Sequence, residues 1–411
     1  MLRVTAVAVC VAAADAFAPA GGFSVPSVRQ GRASSLSMMA AKETIRLGTR
    51  GSPLALAQAY ETRKRLAAAF PEDFGEDGEG VQINIINTSG DMELSKALSE
   101  IGGKGLFTKE LDVALLKDEV DFCVHSMKDV PTFLPDNTHL ETMLPREDTR
   151  DAWISPKYDS YEDMPAGSLI GSASLRRQAQ ILAKNPGVKC VNFRGNVQTR
   201  LRKLDDEIVD GTLLALAGLK RMDMQDCITK TLDWDYMLPA VAQGAIGIQV
   251  RSDDARTIKY ISALNDKDTK TCVDCERSFL ATLDGSCKTP IAGQAKLIDG
   301  KLHFRGLVSS PDGQKMFRAE RCVYVLCVEC VCVCVCMCVF HQSTAWAVTL
   351  TSCLTVCPCV WGRVGAPEDY MKLGREAGEE IREAAGEKFF EELMEYVATV
   401  QAANTKPTKV A

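Results

Sequence analysis

L-I-G-S-A-S-L-R-R-Q-A-Q-I-L-A-K, residues 169–184, reads as strand, loop and helix in one short run. Residues 169–171 are apolar, Ser174 is a good N-cap, and the stretch 175–184 stops before Asn185-Pro186, so a helix is predicted there. Arg176 and Arg177 then fall in its first turn. A helix N-terminus carries partial positive charge, and two arginines there cost on the order of 0.3–1 kcal/mol each unless an anion sits between them. The placement points to a site that holds carboxylates or phosphates.

The same device recurs on either side. Arg50 lies in G-T-R-G-S-P-L-A (48–55), where Ser52 at the N-cap and Pro53 at the first helical position open a helix over 54–68. In F-R-G-N-V-Q-T-R (193–200), Arg194 precedes Gly195-Asn196, Asn196 can cap a helix running to about residue 209, and Arg200 lies one turn inside it. One arginine at a helix mouth is ordinary. Five describe a binding surface.

Strand and helix signals alternate along both halves. Strands are expected at 44–47, 81–87 and 122–125 with helices at 52–70 and 105–116; then strands at 169–171 and 190–193, helices at 175–184 and 197–209, and an apolar run at 212–217. Two similar α/β lobes follow, and the arginine loops sit after strands, where ligands bind in such sheets. From residue 268 the character changes. A helix over 272–283, a turn D-G-S-C-K-T-P (284–290), strands at 295–298 and 303–308 around Asp299-Gly300, and a C-terminal helix over 375–398 describe a smaller α+β domain.

At 411 residues the chain is long enough for two or three domains, and with a net charge of -6 nothing suggests nonspecific nucleic-acid binding, which needs a basic face. Arginine clusters on a mildly acidic background draw a small polyanion to one cleft. Residues 1–41 read as a leader: an apolar run over 4–18, too short to span a bilayer, ends in A-D-A-F-A-P, and the serine- and arginine-bearing stretch after it holds no acid. This two-part form, with Phe17 at the cleavage point, is expected of proteins sent to plastids. Ten of the 17 cysteines lie between Cys322 and Cys359, around V-C-V-C-V-C-M-C-V (331–339), which is how an alternating GT tract translates. Residues 322–364 are therefore read as a retained intron or gene-model error. The run lacks metal-ligand spacing, Glu329 interrupts it as a membrane span, and the C-x-x-C of Cys272 and Cys275 has no second pair, so neither metal nor membrane is expected.

Taken together, T-R-G-S-P-L-A-L-A-Q-A (49–59), G-K-G-L-F-T-K-E-L (103–111), V-H-S-M-K-D-V-P (124–131), S-A-S-L-R-R-Q (172–178), F-R-G-N-V-Q-T-R-L (193–201), L-A-G-L-K-R (216–221), Q-G-A-I-G-I (243–248) and D-G-S-C (284–287) resemble the porphobilinogen deaminase, or hydroxymethylbilane synthase, family. The resemblance runs from about 44 to 321 and resumes near 373. It implies two lobes like type II periplasmic binding proteins, domain 1 over 42–147 and 240–264 and domain 2 over 148–239. It also implies an α+β domain over 265–321 and 365–411 carrying a covalent dipyrromethane. Four porphobilinogen units would be joined head to tail with loss of ammonia, and water would free the linear tetrapyrrole. Each pyrrole bears an acetate and a propionate, so the growing chain is the polyanion the arginines anticipate.

By position, Asp129 matches the catalytic aspartate and Cys287 the cofactor's thioether attachment, with Lys128, Ser174, Arg176 and Arg177 on the cofactor side. Arg50, Ser52, Lys104, Phe107, Arg194 and Arg200 fall on the substrate side, Phe107 as a platform for a pyrrole ring. Each charge-assisted pair is worth roughly 1.5–3 kcal/mol. The two-part leader points to the plastid stroma, and a monomer is expected. The rival reading is a non-enzymatic two-lobed binding protein for a small anion, which would need neither Asp129 nor Cys287.

Overall fold

The computed structural model describes residues 44–92, 105–285, 289–324 and 367–403. The expected leader, Lys104, Cys287 and the cysteine-valine run from 325 lie outside the described residues.

Lobe 1 starts with β1 (Ile45–Arg50), buried on both faces, and α1 (Pro53–Ala69), where Ser52 accepts from the Ala55 N–H and proline takes the first turn. A single turn α2 (Pro71–Phe74), β2 (Val81–Ile86), a second short turn α3 (Ser89–Met92), α4 (Lys109–Leu116), β3 (Phe122–Ser126) and β4 (Thr138–Met143) follow. The chain then crosses to lobe 2: β5 (Asp151–Ile154), β6 (Leu169–Gly171), α5 (Leu175–Lys184), β7 (Lys189–Val191), α6 (Val197–Asp205), β8 (Gly211–Ala215), α7 (Leu216–Arg221) and β9 (Lys230–Leu232). It returns as β10 (Ile246–Arg251), which slots between β3 and β4, antiparallel to both, before α8 (Ala255–Ser262).

The sheet orders are β2-β1-β3-β10-β4 and β7-β6-β8-β5-β9. In each, the fourth strand, β10 or β5, runs antiparallel to the other four, so both lobes follow one plan. The reversed strands were not legible as alternating strand-helix units because no crossover helix announces them. α6 ends at Asp205, short of the expected 209, where Glu207 turns left-handed at φ 55°.

The third part packs α9 (Lys267–Thr282) on a meander of β11 (Ile291–Ile298), β12 (Lys301–Ser309) and β13 (Met316–Tyr324), with α10 (Pro367–Ala385) and α11 (Glu387–Ala403) completing it. Asp299 and Gly300 both take positive φ, the tight turn that matches the twist of a two-residue hairpin. β13 runs on through Cys322, Val323 and Tyr324, paired with His303, Leu302 and Lys301. The sheet therefore claims three residues of the stretch expected to be an insert, since an alternating sequence satisfies a strand ladder as well as any other. The expected single C-terminal helix is two, broken at Gly386 with φ 74°. α10 lies close on α9: a Cβ on Gly374 would stand 2.0 Å from the Cys275 carbonyl oxygen, so only hydrogen fits there.

One buried carboxylate ties these parts together. Glu276 of α9 accepts from Arg146 Nη1 and Nη2 at 2.7 and 2.9 Å, from the Ala242 N–H at 2.6 Å and from the Ala295 N–H at 2.7 Å. Its charge is removed from solvent but fully met by donors, which is the condition for burying it. Arg146 and Ala242 belong to the two segments crossing between the lobes, so α9 grips both.

Candidate active site

A cavity of about 300 Å³ opens where the two lobes face each other, at the ends of β1, β3, β6 and β8. Lobe 1 brings Arg50, Ser52, Phe107, Lys128 and Asp129 to its wall; lobe 2 brings Ser174, Arg176, Arg177, Arg194 and Arg200. Leu280, Thr289 and Ile291 of the third part close one side. Thr289 is two residues beyond Cys287 in sequence. All ten described residues expected at the site therefore line a single cavity.

On the lobe 1 wall, Arg50 donates to both carboxylate oxygens of Asp91, through Nε at 2.9 Å and through Nη2. Its guanidinium lies 4.2 Å from the Phe107 ring centroid, and its Nη1 stands 3.6 Å from Asp129 Oδ2. Phe107, expected under a pyrrole, here stacks on a protein cation. Burial would raise the Asp91 carboxyl, but the Arg50 hydrogen bond and charge outweigh it and hold the group below the usual carboxylate range. Lys128 and Asp129 stand on the 3-10 turn Met127–Asp129 directly after β3, with the Asp129 side chain a quarter exposed. Burial pulls the Lys128 ammonium down, reinforced by Arg177 and Arg200 and opposed by Asp129 and Asp151. His125, buried against Gln249 at 2.9 Å, is pushed down to about 4 by burial and the nearby Arg50 charge, so it adds no charge at neutral pH.

On the lobe 2 wall the arginines are more deeply set, Arg176 at 4% exposure and Arg177 at 7%. Arg177 donates to Asp151 through Nε at 3.2 Å and Nη2 at 2.7 Å, and through Nη1 to the Leu213 carbonyl at 2.9 Å. Arg176 reaches Asp151 Oδ2 at 2.9 Å and the Leu238 carbonyl at 2.7 Å. The anion that the helix mouth calls for is thus partly internal, supplied by Asp151. Burial opposes ionisation of Asp151, yet the two arginines keep its carboxyl well below the ordinary range. Ser174 holds the N-cap position in extended conformation, but its side chain makes no cap bond, unlike Asn196, whose Oδ1 accepts from the Thr199 N–H at 2.8 Å. Arg200 donates to the Gly195 carbonyl at 2.9 Å; burial and the charges of Arg177 and Arg194 bring it down to about 10, against Asp129. Arg194 Nη2 crosses to the Gly90 carbonyl of lobe 1 at 3.3 Å.

Asp91, Asp151 and Gln243 went unread in the sequence. Each is an ordinary polar residue until the fold sets it beside an arginine far away in the chain. Among the described residues no group of His, Cys, Asp or Glu could hold a metal ion, and no helix is long and apolar enough to cross a membrane.

The donor set suits a molecule bearing several carboxylates, and Arg176 Nε is buried without a partner, a donor left for such a ligand. Fold and site together define a two-lobed α/β protein whose cleft gathers five arginines and a lysine beside one carboxylate. The chain belongs to the porphobilinogen deaminase family: the family's dipyromethane cofactor binding domain matches residues 45–259 and its C-terminal domain residues 270–331. The chloroplastic porphobilinogen deaminase of Oryza sativa subsp. japonica is 60% identical over 278 residues, covering 67% of this chain and 77% of the relative. That of Pisum sativum is 51% identical over 350 residues, 84% of this chain and 83% of its own. The porphobilinogen deaminase of Nitrobacter hamburgensis is 47% identical over 344 residues, 84% and 94%. Among solved structures, a Salmonella typhimurium periplasmic binding protein overlaps 55% of this chain and 93% of its own at 14% identity and TM-score 0.32. Family membership decides for the transferase over the non-enzymatic binding protein.

Proposed function

We propose that this cavity deaminates porphobilinogen and joins four units head to tail on a dipyrromethane held by Cys287, water then releasing the linear tetrapyrrole. The observation that carries the reading is the convergence of five arginines, Lys128 and Asp129 on one cavity from both lobes. Dipyrromethane, when bound, supplies the pyrrole carbon to which the first unit is joined. Arg176, Arg177, Lys128 and Ser174 would hold its acid groups, and Arg50, Arg194, Arg200, Ser52, Lys104 and Phe107 those and the ring of the incoming unit.

Loss of ammonia from the aminomethyl group of porphobilinogen breaks a C–N bond and leaves a cation shared between the methylene carbon and the pyrrole nitrogen. Asp129 then does two things: it accepts the pyrrole N–H, and its negative charge lowers the energy of the cation as it forms. Arg50 stands 3.6 Å from it and is engaged with Asp91, so Asp129 keeps an acceptor for the substrate. An amide would accept the same hydrogen bond without supplying charge.

Two further parts of the reading go with it. The division into domains 1, 2 and 3 follows the crossings at about 148, 240 and 265. The leader directs the chain to the plastid stroma, in keeping with the chloroplastic rice and pea relatives. Intact-mass measurement of freshly purified, active protein tests the chemistry: an adduct of two pyrrole units that maps to Cys287 is expected, and an unmodified Cys287 in active protein overturns the assignment.

A further inference from the structure

Asp151 opens β5 with its side chain wholly out of solvent. Arg177 and Arg176 donate to it as described, and Gln243 Nε2 adds a third partner at 2.8 Å. A carboxylate that accepts so many donors away from water is fixed in place, and it fixes the guanidinium planes that face it. Two cations sharing one anion leave net positive charge at the cavity wall. The pair is held, yet still attracts an incoming carboxylate.

Gln243 widens the meaning of this cluster. It lies on the segment returning from lobe 2 to β10, and the same Nε2 donates to the Thr149 carbonyl, on the outgoing segment, at 2.7 Å. The Leu238 carbonyl, where the return begins, receives Arg176 Nη1 at 2.7 Å and Gln180 Nε2 at 3.0 Å. Both crossings between the lobes are thus joined to the arginine pair. Any rotation of one lobe against the other acts on these bonds.

We propose that Asp151 is a positioning residue for the reaction: it presents Arg176 and Arg177 to the carboxylates of the bound pyrrole chain and, with Gln243, ties their aim to the segments that cross between the lobes. The proposal rests on the reading that those arginines bind the chain's acid groups.

The test uses the full chain carrying its cofactor, as Asp151→Asn, Asp151→Glu and Arg177→Leu, with KM, kcat, the pH profile of kcat/KM and Tm measured for each. Asp151→Asn is expected to raise KM about tenfold, the worth of one charge-assisted hydrogen bond, with Asp151→Glu recovering part of the loss. The alkaline limb should also move to lower pH. Lys128 faces Asp129, Asp151, Arg177 and Arg200, and removing the Asp151 charge removes a neighbour that helps it keep its proton. A fall in Tm with KM and the limb unmoved overturns the proposal and leaves Asp151 a support of the fold. Arg177→Leu separates the two readings: KM unchanged there too means the cavity reading itself fails, whereas KM raised there alone means only the proposal does. Should Asp151→Asn not fold, Gln243→Met keeps both ion pairs and the Leu238 contacts and removes only the link that the Gln243 side chain makes between Asp151 and the Thr149 carbonyl. A KM raised about threefold supports the proposal, and parental kinetics overturn it.

Discussion

The lobe 1 wall sets Arg50 and Lys128 against Asp91 and Asp129, while the lobe 2 wall brings four arginines, two of them paired with Asp151. On the first, formal charges cancel and Arg50 is satisfied by Asp91 and Phe107. On the second, positive charge is in excess and out of water, an arrangement that stays costly until an anion arrives. The difference fits a division of labour: a neutral wall that leaves one carboxylate for a developing cation, and a charged wall that grips. It also teaches that a guanidinium at a helix mouth is no unit of function by itself. What counts is whether the protein has already given it a partner.

The sharpest way to break this comparison is Asp129→Asn. On the proposed division it lowers kcat about 10³-fold, the scale of one electrostatic contact made in the transition state, while KM and Tm hold. A kcat within a factor of ten of the parent would move the chemistry off that wall. Arg200→Leu asks the opposite question. Arg200 donates only to a backbone carbonyl among its described bonds, so its loss strands no buried acid, and KM should rise about tenfold or more with kcat within about threefold. Equal losses in kcat and kcat/KM would instead place Arg200 with the transition state.

The smallest effect is in pH. Lys128, lowered by burial, loses its proton as pH rises, and only its cationic form attracts carboxylates, whereas the guanidinium of Arg200 stays charged. The kcat/KM of the free enzyme should therefore decline severalfold between about pH 8 and 10. The sign reverses at the acid end. Asp91 and Asp151 have depressed folded-state pKa values, so the stability they contribute is present above their unfolded values near about 4 and is lost as pH falls through the folded ones. Thermal unfolding followed from about pH 7 to 3 should show this loss, and a flat Tm over that range would count against both pairs.

Much of the molecule was legible because its signals are local. Ser52-Pro53 opens α1, Leu175 to Lys184 is bounded by a serine and an Asn-Pro, and Asn196 caps α6, each decided by neighbours a few residues away. The alternation of strands and helices gave two lobes, and the arginine loops after strands gave a polyanion cleft. What the chain does locally was written in spacing of two, three and four. Other features rest on partners brought from far off. β10 slots into lobe 1 some hundred residues after β4, and Asp151 meets Arg176 and Arg177 across half a lobe. Gln243 ties two crossings to one carboxylate, and β13 absorbs residues that composition had set aside. Local chemistry fixes where a helix begins because the groups it satisfies are its own. Whether a buried charge has a partner depends on long-range packing, and only the tertiary structure could decide that.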